Sequence, residues 1–77
     1  MKLYDFLSFN DEEQYNITWN IGTLVDQIIT DHIAIHLYAI NDFFVEVYYE
    51  IKSNRILYKK IFKQGELLEK YLNRIKL

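Results

Sequence analysis

Residues 32–62 read HIAIHLYAINDFFVEVYYEIKSNRILYKKIF, and the fold is decided in this stretch. β-branched and aromatic residues recur along it with a period of two, the mark of strands that bury one face more than the other. Asn41-Asp42 and Ser53-Asn54 are turn formers, and links this short join only antiparallel neighbours. The reading gives strands over 32–40, 44–52 and 55–62, and stepping back across Thr30-Asp31 adds one at 24–30.

The faces follow from spacing. Val45, Val47, Tyr49 and Ile51 share one side, and pairing Ile51 with Ile56 across Ser53-Asn54 adds Tyr58 and Phe62 to that core. Ile33, Ile35, Leu37 and Ala39 join it only if the Asn41-Asp42 turn holds an odd number of residues, three with Phe43, and this odd loop is the expectation. Lys60 then falls on the core side and must run its stem along the sheet edge. The opposite face carries Tyr38, Ile40, Phe44, Tyr48, Leu57 and Ile61, which is too apolar for a fully solvated surface.

Outside the strands the period changes. Leu3, Phe6 and Leu7 are spaced for one or two helical turns. Asn10 before Asp11-Glu12-Glu13 is a capping box, so a helix runs from Asp11 to Ile21 and stops at Gly22, expected in a left-handed conformation. Tyr15 with Trp19 and Ile17 with Ile21 form two apolar stripes, and in so small a domain Trp19 reads as a core anchor rather than a binding hot spot. Residues 65–77 place Leu67, Leu68, Tyr71, Leu72 and Ile75 on one side of a closing helix, with acids early and bases late. The fold class is α+β in a single domain over 1–77: an N-terminal helical segment, a four-stranded antiparallel β-meander and a C-terminal amphipathic helix.

Composition bounds the function. A chain of 77 residues, 51% hydrophobic and 17% aromatic, is too apolar for a disordered tail, and its charges interrupt any membrane span. Without cysteine there is no disulfide framework, thiolate nucleophile or Cys-based zinc site. Met1-Lys2 leads to only a short apolar run broken by Asp5, which is not a secretory signal, so the cytoplasm is expected. The net charge of −2 conceals an acidic front and a basic back: residues 1–50 hold nine acids and one base, residues 51–77 eight bases and two acids.

No arrangement of residues points to catalysis. His32 and His36 have the spacing of a helical metal pair, but on a strand they stand ~13 Å apart. Glu46 and Glu50 are separated in the same way, beyond the ~5–9.5 Å of a glycosidase pair. There is no phosphate-binding loop and no nucleophile elbow. The expectation is a protein that is not an enzyme, with no cofactor and no metal.

The leading expectation is a protein-interaction or regulatory module, self-associating as a homodimer or binding a partner protein through the outer sheet face. Tyr38, Phe44, Tyr48 and Leu57 would be its anchors. The alternative is a nucleic-acid-binding accessory protein using Arg55, Lys59, Lys63 and Arg74 of the basic third, which the overall acidity disfavours. An immunity-type inhibitor or antitoxin would instead use the acidic Asp11-Glu12-Glu13 front, although helix capping already accounts for those residues.

The Tyr4-Asp5-Phe6-Leu7 start, the helix with Glu12-Glu13-Gln14 and Trp19, the Phe43-to-Tyr49 strand and the Leu67-Leu68-Glu69-Lys70-Tyr71-Leu72 ending resemble small uncharacterised bacterial α+β proteins over the whole chain. The resemblance implies a bacterial cytoplasmic domain and carries no activity and no site residues.

Overall fold

The structure, a computed structural model, describes residues 1–63, so the helix expected over 65–77 lies outside the described residues. The elements are α1 (Leu3–Leu7), α2 (Asp11–Ile21), β1 (Thr23–Ile29), β2 (Ile33–Ile40), β3 (Phe43–Glu50) and β4 (Arg55–Lys63). The strands form one antiparallel sheet in chain order, the expected meander. No helix among the described residues is long and apolar enough to cross a membrane.

α2 begins where its capping box requires. The Glu13 amide donates to Asn10 Oδ1 at 2.8 Å and the Asn10 amide donates to Glu13 Oε1 at 3.0 Å, so two helix-end donors are satisfied reciprocally. Its end corrects the expectation of a left-handed stop, because Gly22 is extended, with φ −75° and ψ 148°. Glycine is required there for another reason. A Cβ would lie 2.5 Å from the Thr18 carbonyl oxygen, which accepts the Gly22 amide at 3.0 Å, and this close approach lets the chain pass from helix to strand without a loop.

The buried side of α2 also differs from the expected apolar stripes. Gln14 and Thr18 are its buried residues, while Ile21 and Trp19 stand half exposed. Gln14 Nε2 donates to the Phe6 and Phe9 carbonyls at 3.2 and 3.0 Å, and Thr18 Oγ1 donates to the Gln14 carbonyl at 2.8 Å. The amide therefore fastens α1 and its connection to α2, giving polar atoms of the helix junction partners away from water.

Two assignments of sheet face are corrected by single residues. Ile40 pairs with Phe43, so the β2–β3 loop holds two residues, not three. Asn41 adopts φ 56°, a left-handed conformation that asparagine tolerates, and its Nδ2 donates to the Met1 carbonyl at 2.7 Å. The even loop turns Ala34, His36, Tyr38 and Ile40 toward the helices and Ile33, Ile35, Leu37 and Ala39 away from them. In β4, Glu50 pairs with Arg55 and Tyr49 with Ile56, so Ile51 stays in the loop with Asn54 at φ 58°. A bulge at Leu57 then sends Tyr58, Lys60 and Phe62 to the far face, and Lys59 and Ile61 to the helix side. A second bulge, at Val25, interrupts β1.

The core lies between the helices and the Asn41 end of the sheet. Phe6, Ile40, Phe43, Val45 and Val47 are buried there, with the Phe6 and Phe43 rings 5.1 Å apart. On the far face Leu37 and Phe62 are buried with Ile28 and Phe44 packed against them. Glu46 is fully buried beside them and accepts from the Tyr48 hydroxyl at 3.2 Å.

Candidate functional site

Directly opposed residues share a face, so the helix side of the sheet can be read as rows running across the strands. Ile40, Phe43 and Lys63 form the first row; Tyr38, Val45 and Ile61 the second; Gln27, His36, Val47 and Lys59 the third; and Ile29, Ala34, Tyr49 and Ile56 the fourth. Phe6 of α1 packs on the first. α2 crosses the strands over the next two: Asp11 at its start pairs with Lys59 of β4, and Trp19 near its end stacks on Tyr38 of β2 with ring centroids 6.3 Å apart. The fourth row lies beyond the helix.

A cleft of about 600 Å³ opens above that row, floored by Ala34, His36 and Tyr49 and rimmed by Trp19, Ile29 and Ile56. Ile51 and Asn54 of the β3–β4 loop close one end. The rim is exposed: Trp19 by 45%, Ile29 by 63%, Ile51 by 43% and Ile56 by 38%. A second groove of about 570 Å³ continues from it along the flank of α2, past Glu12, Asn16 and Asn20, and Trp19 and Ile56 line both. Helix periodicity sets this flank, because residues four apart stand one above the other: Asp11, Tyr15 and Trp19 form the row nearer the sheet, and Glu12, Asn16 and Asn20 the row above it.

The aromatic groups at the base of the helix are held together. Tyr15 meets Trp19 edge-on with centroids 5.3 Å apart, and the His36 ring lies 4.8 Å from that of Tyr49. The Lys59 ammonium pairs with Asp11 and sits 4.4 Å from the Tyr15 ring centroid, its side chain only 7% exposed. The Tyr49 hydroxyl is pushed up to about 12, by burial first and then by Tyr38 and Tyr15, and burial followed by the Asp11 charge also raises Tyr15. Both phenols therefore stay protonated at neutral pH and face the site as uncharged hydroxyls.

The residues singled out from the sequence do not form one patch. Tyr38 lies under α2, Phe44 and Tyr48 are on the far face, and Leu57 is the extra residue of the β4 bulge. Of the basic set, Lys59 is engaged by Asp11 on the helix side, Arg55 stands opposite Glu50 on the far face, Lys63 lies at the other end of β4, and Arg74 is outside the described residues. His36 reaches the cleft while His32 remains in the β1–β2 loop. Glu46 and Glu50 share the far face. Among the described residues no three His, Asp or Glu side chains converge on a point where a metal ion would sit.

Trp19, Ile29, Ile56, Asn16 and Asn20 were not singled out as a site by sequence reasoning. The signal available for the helix members was the Glu12-Asn16-Asn20 row, a polar flank running beside an aromatic one. The strand members had none, because their meeting depends on the parity of a loop and a bulge. Comparison of the chain with family models, with curated proteins and with solved structures gave no match in any of the three.

Proposed function

We propose that this chain is a non-enzymatic protein-interaction module whose contact surface is the fourth sheet row and the flank of α2 beside it. The observation that carries the reading is the cleft rimmed by Trp19, Ile29 and Ile56, apolar side chains held half out of water around a floor of Ala34 and Tyr49. Scattered exposed apolar residues need no explanation, but a contiguous group around a concavity with an aromatic wall is the composition of binding surfaces. Trp and Tyr supply such surfaces with large contact area at little cost in side-chain freedom. This moves the contact from the outer face favoured by the sequence to the helix side.

The test is panning of a phage-displayed library of random peptides against the full chain, with light scattering of the free protein at low and high salt. Enriched peptides, or a salt-resistant dimer, are expected to be lost in Ile56→Lys, while circular dichroism and the urea midpoint stay close to wild type. A monomer that enriches nothing, or binding that Ile56→Lys leaves unchanged, would remove the reading.

A further inference from the structure

The far face of the sheet is buried more deeply than a single layer of strands allows. Its first row holds Phe44 and Phe62, and its second runs through Asp26, Leu37, Glu46 and Lys60. Leu37 and Glu46 are buried, Glu46 completely, and Phe62 is only 5% exposed. Side chains stand roughly perpendicular to a sheet, so neighbours in a row shield one another's flanks and leave the tips to water. Glu46 is long enough to carry its carboxylate out of such a layer, and a glutamate is almost never fully buried without a partner. Phe62 lies on an outer strand of the described sheet, with Phe44 stacked against it at 5.7 Å between ring centroids. Sealing both side chains takes an element laid above them, and α1 and α2 pack on the other side of the sheet.

We infer that the cover is residues 65–77 of this same chain, laid as an amphipathic helix over Leu37, Glu46 and Phe62. The seal follows the course of the chain. It is tightest in the two rows at the end of the sheet where β4 delivers Lys63, and it fails toward the β3–β4 loop, where Tyr58 and Arg55 are exposed. The segment therefore begins beside the side chains it shelters. Leu68, Tyr71, Leu72 and Ile75 fall on one side of a helix, the side turned to the sheet. At ~1.5 Å per residue that helix reaches about 20 Å, whereas four strands at ~4.8 Å spacing span about 14 Å, so the length suffices to cross the face. Charge agrees, since Asp26 and Glu46 place carboxylates in the second row and the segment brings Lys70, Arg74 and Lys76. The far face is then internal to the molecule, and Phe44 and Tyr48 serve the fold rather than a contact with a partner.

The chain has no cysteine, so Asn73→Cys supplies a single thiol for a nitroxide label on the polar side of the segment, and Lys70→Cys supplies a second, independent position. In the full-length, isotopically labelled protein either nitroxide is expected to erase the amide signals of Leu37, Glu46 and Phe62 and to spare those of α2, with the lost signals returning when the label is reduced. Loss of the α2 signals from Glu12 to Asn20 instead would put the segment on the helix side and overturn the inference. Weak broadening spread evenly along the chain would mean that the segment stays off the sheet, which overturns it as well. Strand signals lost only on mixing nitroxide-bearing protein with isotopically labelled protein that carries no nitroxide would make a second copy the cover, again overturning the inference.

Discussion

At Tyr49, partial burial on the floor of the cleft has a consequence for alkaline stability. An ordinary tyrosine ionises near 10.0, whereas the folded Tyr49 holds its proton to about 12. As pH rises the unfolded chain therefore loses this proton first and is favoured by the loss. The contribution of Tyr49 to stability is complete below pH 10, declines between about 10 and 12, and is absent above that. Tyr15 is shifted in the same direction and adds to the decline. Urea midpoints followed through this range are expected to fall less steeply in Tyr49→Phe than in wild type. Equal slopes would assign the alkaline transition to other groups.

At the scale of elements, the inverted faces of α2 predict an unusual ranking of substitutions. Trp19→Ala would cost about 3–5 kcal/mol if the indole were a buried anchor. With nearly half of it exposed, the loss is expected below that range. Gln14→Ala leaves the Phe6 and Phe9 carbonyls without their amide donor inside the helix junction, and is expected to cost about 1–3 kcal/mol. Urea unfolding of the two variants compares them directly; a Trp19→Ala cost far above that of Gln14→Ala would restore the tryptophan to the core. The difference marks where sequence was legible. Asn10 with Glu13, Gly22, Asn41 and Asn54 each state a local requirement, so α2 was placed from Asp11 to Ile21 and the strands to within two residues. Faces depend on parity, and one residue in the β2–β3 loop or at Leu57 reverses a whole half-strand without altering composition. The site was hidden for that reason: Ala34, Tyr49 and Ile56 become neighbours only in the register that forms.

Across the whole molecule, each outer strand of the described sheet carries a bulge. Val25 lies in one outer strand and Leu57 in the other, and among the described residues these strands are the borders of the sheet. Deleting Leu57 leaves Tyr48 opposite Tyr58 and Tyr49 opposite Ile56, so the pairing of β4 becomes regular while its faces are kept. The deletion variant is expected to fold, by circular dichroism, and to form thioflavin-positive aggregates faster than wild type at the same concentration. Equal aggregation rates would mean that the border is protected by other means. Each bulge sacrifices one step of the ladder to make the border a poor template for another strand. If the apolar shelf is the contact surface proposed above, the chain separates two kinds of stickiness: a face that one visitor satisfies, and a rim that would otherwise accept an unlimited succession of copies. Under the function proposed above, recognition stays finite because the ladder is interrupted at both borders of the described sheet.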